Sequence, residues 1–391
     1  MHILVVAGTR PEIIKLAPVV HALRVRAGVQ ARICMSGQHG ALASEPLRLF
    51  GLEPDIALEP APPGIPLAAL VASLTQRLDA AIAAHPVDWV VVQGDTATTL
   101  SAALAAYYRG VPVAHVEAGL RTGDLRAPWP EEGHRRMTGA VADLHFAPTA
   151  GARRNLLREG IAEPAIAVTG NTGIDALLQM RQRLARDAAL RARAHADLPE
   201  LRPDRRLLVV TAHRRENLGT PMQRICAALR GLAQRGDIDI TFAVHPNPNV
   251  AQVVPRELDG VPGITICPPL DYAAFVTLID SAFLLLTDSG GLQEEAPSLG
   301  KPVLVLRDVT ERIEAIEAGT AILVGTDPER IVSAATRLLD DPQACEKMRG
   351  RGNPFGDGAA AARIAARLTG RKCLPAAACE ETRSNNPSPG R

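Results

Sequence analysis

The chain opens with MHILVVAGTRPEIIKLAPVVHALRVR at residues 1–26. The apolar run 2–7 predicts a buried strand, and the stretch after a Gly8-Thr9-Arg10 turn predicts a helix over about 11–26. Pro11 suits the first turn of that helix, because no backbone N–H is needed there. A strand that leads directly into a helix is the unit from which parallel sheets are built.

The same alternation continues along the chain and then starts again. Further strands of a first half are predicted at 31–36, 89–93, 112–117, 144–147 and 165–168. A helix at 181–193 precedes a second series of strands at 206–211, 238–244, 264–267, 282–287 and 302–306. We therefore predict an α/β protein with two doubly wound halves and a boundary near residues 169–173. The Pro-, Ser- and Asn-rich segment 374–391 is predicted to be a disordered tail.

Charge and hydropathy argue against two classes of partner. The chain has 43 Lys plus Arg, 42 Asp plus Glu, a net charge of +1 and 3% aromatic residues. Neither value favours nucleic-acid binding, which needs a basic face or an aromatic stacking platform. The longest apolar run, 65–74, is about half of what a membrane span needs. The N-terminus also lacks the basic region that begins a signal peptide.

Cysteine spacing and glycine motifs argue against bound metals and redox cofactors. The six cysteines are scattered, with no C-x-x-C pair and no histidine at metal-binding spacing. We therefore expect no metal site and no disulfide scaffold, and a reducing, cytoplasmic location. No G-x-G-x-x-G follows the first strand and no P-loop follows Gly8, so neither NAD nor ATP is expected as a cofactor.

Polar residues follow many of the predicted strands. Because ligands of open α/β sheets bind beyond the carboxyl ends of the strands, these residues are candidates for a binding site. They are Arg10, Asp95, Glu117, Arg121, His213, Arg214, His245 and the run Asp288-Ser289-Gly290-Gly291. Lys15 lies five residues after Arg10 on the first predicted helix and can reach the same cleft, although taken alone it is equally explained as a surface lysine.

The segment DSGGLQEE at 288–295 follows a strand and opens a helix. Free backbone N–H groups at such a helix start suit a phosphate group of a substrate. The same residues also suit a plain N-cap with a tight turn. Glu295 is either an acceptor for a ribose hydroxyl or a solvated carboxylate.

Three acids of the first half, Asp95, Glu117 and Glu131, are either proton-transfer groups or surface carboxylates. Two of them follow neighbouring strands, which raises the weight of the catalytic interpretation. His213 is followed by two arginines, so an anionic ligand is favoured there over a purely structural histidine.

Seven motifs occur together and in order: GTRPEIIKLAPV (8–19), QGDT (93–96), HVEAGLRT (115–122), PEEGHRR (130–136), TAHRREN (211–217), HPNP (245–248) and TDSGGLQEEAPSLGKPVLVLRDVTER (287–312). Over about residues 2–370 the chain resembles the non-hydrolysing UDP-N-acetylglucosamine 2-epimerases. The resemblance implies a GT-B-type fold of two Rossmann-like domains, 1–170 and 171–355, with the active site in the cleft between them. A helix at about 356–372 would rejoin the first domain. The resemblance also implies a homodimer that needs no redox cofactor.

The resemblance further implies reversible epimerisation at C2 between UDP-N-acetylglucosamine and UDP-N-acetylmannosamine, through elimination of UDP and a 2-acetamidoglucal. Asp95, Glu117 and Glu131 would transfer protons, with His213 as a further catalytic group. Glu295 would take the ribose hydroxyls, while Leu270 and Phe275 would flank the uracil. The diphosphate and the charges near it would be held by Arg10, Lys15, Arg135, His213, Ser289, Gly290, Gly291 and Arg312.

Other functions share parts of this pattern. The alternatives are a hydrolysing epimerase that releases N-acetylmannosamine and UDP, and an epimerase of a related UDP-N-acetyl sugar. A GT-B glycosyltransferase would share the nucleotide contacts but would not need three carboxylates around C2. An inactive nucleotide-sugar sensor would keep Ser289 and Glu295 but lose some of the acids.

The chain departs from the family pattern at a few positions. Leu42, Glu45 and Ile65 stand where the family has a methionine and two glutamines. Members that are activated by a second UDP-N-acetylglucosamine rely on those glutamines, so we expect this activation to be lost here. Trp129 and Ile313 also differ, on the sugar side of the cleft, where they bear on sugar specificity.

Overall fold

The computed structural model describes residues 1–39, 44–244 and 248–370. Leu42, His245 and the predicted tail 374–391 lie outside these residues. The first half contains a parallel sheet of seven strands in the order β3-β2-β1-β4-β5-β6-β7. These strands are β1 His2–Ala7, β2 Gln30–Met35, β3 Ile56–Ala57, β4 Trp89–Gln93, β5 Val113–Val116, β6 Leu144–Ala147 and β7 Ile166–Val168.

The second half repeats this plan with a parallel sheet of six strands in the order β10-β9-β8-β11-β12-β13. Its strands are β8 Arg206–Thr211, β9 Ile238–Ala243, β10 Ile264–Cys267, β11 Leu284–Thr287, β12 Val303–Val305 and β13 Ala321–Leu323. The strand order reverses beside β1 in the first sheet and beside β8 in the second, which is where open sheets form ligand crevices. The predicted α/β class, a GT-B-type pair of Rossmann-like halves, is confirmed.

Helices cover both sheets. In the first half they are α1 Arg10–Arg24, α2 Ser44–Leu49, α3 Leu67–Ala84, α4 Ala97–Tyr108, α5 Glu131–Val141 and α6 Ala150–Arg158. Two helices, α7 Thr172–Arg186 and α8 Ala188–Ala196, lead into the second half. The remaining helices are α9 Thr220–Ala233, α10 Pro248–Leu258, α11 Tyr272–Ser281, α12 Gly290–Glu295, α13 Ile313–Glu317, α14 Pro328–Asp340, α15 Pro342–Arg349 and α16 Ala360–Gly370.

The predicted helix at 181–193 is wrong, because the chain forms two helices there. Asp187 ends α7, and its side chain accepts a hydrogen bond from the backbone N–H of Leu190 to cap α8. A carboxylate is a preferred N-cap, so this residue starts a new helix where the apolar periodicity suggested a continuous one.

The two halves share one packed interior. A single apolar cluster contains Val5 and Ile13 of the first half, Ile174 and Leu177 of α7, and Leu285 of the second half, all nearly inaccessible to solvent. Helix α7 packs against α1 of the first half and against α11 and α12 of the second half. The last described helix, α16, returns to pack against α1 and α7. Closely packed apolar surface of this kind holds the halves in a defined relation.

Among the described residues, α3 is the one helix long and apolar enough to cross a membrane, with 18 residues and a mean hydropathy of 1.3. It extends the apolar run that the sequence placed at 65–74. Its buried residues Leu74, Leu78 and Ile82 belong to the core, and the helix packs against α4. Asp79 on this helix is paired with Arg109 at 2.5 Å. Core packing therefore accounts for part of its apolar character.

Candidate active site

A cavity of about 220 Å³ lies at the carboxyl ends of β1, β4 and β5. Arg312 of the second half completes its lining, so the cavity lies between the two halves. It brings together five of the residues predicted from the sequence, namely Lys15, Asp95, Glu117, Arg135 and Arg312. Glu12 also lines the cavity, so three carboxylates and three cations meet in one small space, an arrangement suited to proton transfer beside an anionic ligand.

Glu117 follows β5 and has a backbone φ of 64°, the one described non-glycine residue with a positive φ. A bulky side chain in this conformation costs on the order of 1–3 kcal/mol, and such residues cluster at functional sites. Lys15 Nζ donates to both carboxylate oxygens of Glu117 at 2.7 Å, and Gln93 Nε2 donates to one of them. Burial alone would raise the pKa of Glu117, but the Lys15 cation lowers it below its usual value.

Asp95 follows β4 and faces the same cavity with a different charge environment. Its Oδ2 accepts a hydrogen bond from Arg135 Nη1 at 3.0 Å. Burial raises the pKa of Asp95, Arg135 opposes that rise, and the carboxylates of Glu117 and Glu131 add to it. The pKa values of Asp95 and Glu117 are therefore shifted in opposite directions.

Glu131 begins α5 and is partly exposed. Its charge influences Asp95, but Glu131 is not among the described residues that line the cavity. Besides Asp95, Arg135 pairs with the neighbouring Glu132 at 3.2 Å. The structure therefore places Asp95 and Glu117 together and Glu131 outside their cavity.

Asp288 organises the second half's side of the cleft. Its Oδ2 accepts hydrogen bonds from the backbone N–H groups of His213 at 2.8 Å and Arg214 at 2.9 Å, and from Asn217 Nδ2 at 2.9 Å. His213 Nδ1 lies 3.5 Å from the other oxygen of Asp288. A buried carboxylate thereby holds the loop after β8 against the start of α12.

Gly290 at the start of α12 allows Arg312 to approach the backbone closely. A Cβ atom added to Gly290 would lie 2.9 Å from Arg312 Cζ, which is too close for a non-bonded contact. Ser289, Gly290 and Gly291 begin the helix here, and Ser289 donates its backbone N–H to Thr287 Oγ1 at 2.9 Å. The absence of a side chain at Gly290 thus serves a packing contact with Arg312, whatever ligand this loop binds, whereas Gly291 has no such close contact.

The remaining predicted residues are not among those that line the cavity. Arg10 Nη2 donates to the carbonyl oxygen of Leu270 at 3.0 Å, so the Leu270 backbone predicted to meet uracil is bound to a side chain here. Phe275 on α11 is half-buried against the core. Burial raises the pKa of Glu295 to about 8, although Lys15 opposes this.

Sequence reasoning missed four side chains that hold this site together: Glu12, Gln93, Asn171 and Glu294. Glu12 Oε2 accepts from the backbone N–H groups of Gly8 at 3.0 Å and Thr9 at 2.7 Å, and Oε1 accepts from Thr96 Oγ1 at 2.6 Å. The T-x-x-E spacing of Thr9 and Glu12, a capping box, was a signal for this role. No comparable signal marks the contacts of Asn171 with Glu117 and Glu294, because both acids are distant from it in sequence.

Comparison with known proteins agrees with this geometry. Residues 21–369 match the protein family described as UDP-N-acetylglucosamine 2-epimerase. The chain is 52% identical over 363 residues to a probable UDP-N-acetylglucosamine 2-epimerase of Ralstonia nicotianae, covering 93% of this chain and 97% of that protein. It is 48% identical over 365 residues to the UDP-N-acetylglucosamine 2-epimerase of Escherichia coli K12, with the same coverage.

A solved structure has the same fold. The UDP-GlcNAc 2-epimerase of Neisseria meningitidis, crystallised with UDP-GlcNAc, is 39% identical and superposes with a TM-score of 0.90. The match covers 95% of this chain and 100% of the Neisseria chain. The family resemblance inferred from the seven motifs is confirmed: this chain belongs to the UDP-N-acetylglucosamine 2-epimerase family.

Proposed function

We propose that this protein epimerises UDP-N-acetylglucosamine at C2 to UDP-N-acetylmannosamine, reversibly and without hydrolysis. The observation that carries the proposal is the cavity in which Asp95 and Glu117 stand beside Lys15, Arg135 and Arg312. The Neisseria relative was crystallised with UDP-GlcNAc, which supports this nucleotide sugar as the substrate.

The chemistry explains why two acids and several cations are needed. The C2 hydrogen of the sugar has no adjacent carbonyl to acidify it. Breaking the C1–O bond to UDP gives C1 cationic character, and a base then removes the C2 proton to leave a 2-acetamidoglucal. Addition of UDP back to C1, with protonation of C2 on the opposite face, yields the epimer. The site therefore needs a base, an acid on the other face and cations for the departing diphosphate.

The two acids are assigned by their environments. Glu117, whose pKa Lys15 holds low, is ready to accept the C2 proton. Asp95, whose pKa burial raises, is the group suited to carry a proton to the other face. The two exchange roles in the reverse direction. Glu131 would influence Asp95 through its charge, and His213 would act at the edge of the site beside the diphosphate.

Binding of the nucleotide uses both halves. Arg10, His213 and the Ser289-Gly290-Gly291 turn would contact the diphosphate, with Arg135 and Arg312 near the developing charge. Glu295 would accept the ribose hydroxyls, and Leu270 and Phe275 would flank the uracil. Neither a metal ion nor a redox cofactor takes part in this scheme.

Assembly and location complete the proposal. We propose that the enzyme is a homodimer in the cytoplasm. A measurement of its mass in solution tests the dimer. The exposed Tyr107 and Tyr108 at the end of α4 and Met137 on the adjoining α5 support a protein interface there. The four cysteines of the described chain are unpaired and buried, in keeping with a reducing compartment.

Deuterium incorporation tests the mechanism. Incubating the purified protein with UDP-N-acetylglucosamine in D2O, without NAD or added metal, is expected to yield UDP-N-acetylmannosamine with deuterium at C2. NMR measures both the product and the exchanged position. A reaction that leaves C2 undeuterated, or that requires NAD, would rule out elimination and re-addition. Free N-acetylmannosamine as the main product would instead identify a hydrolysing enzyme.

The regulatory prediction concerns Glu45 and Ile65. Glu45 Oε2 lies 4.0 Å from Arg10 Nε, so an anion occupies the place of a neutral glutamine beside a residue proposed to bind the diphosphate. Ile65 has no side-chain hydrogen-bonding group, and both changes disfavour a second anionic nucleotide. We expect hyperbolic kinetics, and turnover of pure UDP-N-acetylmannosamine without activator. If that substrate reacts only after a trace of UDP-N-acetylglucosamine is added, an activator site is present and this prediction is wrong.

A further inference from the structure

Asn171 occupies a buried position between the two halves, at the residue that precedes α7. Its Oδ1 accepts a hydrogen bond from the backbone N–H of Gly173 at 2.8 Å. That bond determines which way the amide points, so the NH2 group must face away from the helix. Nδ2 donates to Glu117 Oε1 at 3.4 Å and also to Glu294 Oε2.

The two acceptors of this amide come from different halves of the chain. Glu117 follows β5 in the first sheet, whereas Glu294 lies on α12 in the second half and has a side chain only 2% exposed. Each carboxylate has its own cation, since Lys15 pairs with Glu117 and Arg312 Nε pairs with Glu294 Oε1 at 2.7 Å. The buried carboxylates of Glu117 and Glu294, which would repel each other, thus both accept a hydrogen bond from the neutral Asn171 amide.

We infer that Asn171 is a positioning residue, whose amide aligns the Glu117 carboxylate with the Glu294–Arg312 pair of the opposite half. Movement of α12 relative to β5 would then change the orientation of the proposed base. The inference rests on the proposed function, because it assigns Glu117 the proton transfer. Asn171 itself is not among the residues that line the cavity described above.

The competing explanation is that Asn171 only caps α7. Two substitutions distinguish such a cap from the amide bridge, by which we mean the Asn171 NH2 group shared between Glu117 and Glu294. Serine and aspartate cap helices about as well as asparagine, because each supplies a side-chain oxygen acceptor. Neither supplies an amide donor that two carboxylates can share. Asn171→Ser therefore keeps the cap and removes the bridge, and Asn171→Asp also adds a third carboxylate between Glu117 and Glu294.

Steady-state kinetics test the bridge. Asn171→Ser is expected to lower kcat at least about tenfold, the effect of losing a hydrogen bond to a charged group, while KM and the thermal midpoint change little. Asn171→Asp is expected to lower kcat further and to move the acidic limb of the kcat/KM profile to higher pH. Gln179→Glu, which makes the same amide-to-carboxylate change two turns along α7, is the matched control with wild-type kinetics expected.

The pH profile depends on every group that faces Glu117. These groups are Lys15 on α1, Asp95 after β4, His115 on β5, Arg135 on α5, Glu294 and Glu295 on α12, and Arg312 before α13. None of them is altered by substitution at position 171. A change in the profile of Asn171→Asp is therefore assigned to the new carboxylate.

A titration of Glu117 tests the bridge without relying on turnover. In protein carrying 13C at the glutamate carboxyl carbons, with Glu117→Gln to assign the signal, Asn171→Asp is expected to raise the Glu117 pKa by about 1. If the wild-type protein does not epimerise, the proposed function is wrong, but this titration still decides the role of Asn171. Wild-type kcat in Asn171→Ser, together with an unmoved titration in Asn171→Asp, would leave Asn171 as a helix cap only.

Discussion

Glu117→Gln is expected to lower kcat for epimerisation by at least about 100-fold, the lower range for one acid–base group. A glutamine amide cannot accept the C2 proton. The substitution also leaves Lys15 Nζ without the carboxylate that holds it at 2.7 Å. The Kd for UDP, measured by calorimetry, is expected to change much less than kcat, because the proposed diphosphate contacts lie on other residues.

The same experiment extends to the other two acids. Asp95→Asn is expected to lower kcat by about 100-fold or more, because Asp95 is the proposed second proton carrier. Glu131→Gln is expected to lower kcat less, because Glu131 stands outside the cavity and influences Asp95 through its charge. Glu163→Gln is the matched control, since this glutamate is 71% exposed and pairs with Arg153 at the surface. Near wild-type turnover in all three acid variants would show that the assigned acids are structural or surface groups.

Arg312→Met is expected to lower the free energy of unfolding by about 3–5 kcal/mol, the usual effect of removing one partner from a buried ion pair. Arg312 donates to Glu294 Oε1 at 2.7 Å and to Glu311 Oε1 at 2.6 Å, and the Glu294 side chain is 2% exposed. Without the guanidinium, a buried carboxylate loses its counterion. Urea unfolding followed by circular dichroism measures the change.

Two further variants test whether the loss of stability comes from the unpaired buried charge. Arg109→Met removes a bidentate pair with Asp79 at the surface, where each side chain is more than a third exposed, and is expected to lower the free energy of unfolding much less than Arg312→Met does, because solvent screens the pair. Combining Arg312→Met with Glu294→Gln is expected to restore part of the lost stability, because the uncompensated charge is gone. Equal losses for Arg312→Met and Arg109→Met would contradict a buried ion pair.

Most strands were predictable because the evidence for each is local. The β1 run and the stretch that forms α1 are adjacent in sequence, and strand ends follow from where an apolar run meets a glycine or a charged residue. The same local evidence was misleading at Asp187, where a capping side chain interrupts a helical periodicity. It also missed the short strands β3 and β13, which have two and three residues.

Sequence alone predicted which residues form the candidate site, but not which of them contact each other. Asp95 and Glu117 follow neighbouring strands of one sheet, so strand order alone brings them together. That Lys15 binds Glu117, and that Glu131 stands outside the cavity, depends on how α1 and α5 dock on that sheet. Docking is set by packed side chains from many segments, which no short window of sequence contains.

By itself the sequence determined the α/β class, the family and the residues that follow the strands, because these depend on local periodicity and on contiguous motifs. Only the tertiary structure decided which charges meet. Asn171 and Glu294 are 123 residues apart, and Arg10 and Leu270 are 260 apart, yet each pair is hydrogen-bonded. Such contacts arise where helices and loops of the two halves meet, and burial there gives each charge an environment that its neighbours in sequence do not specify.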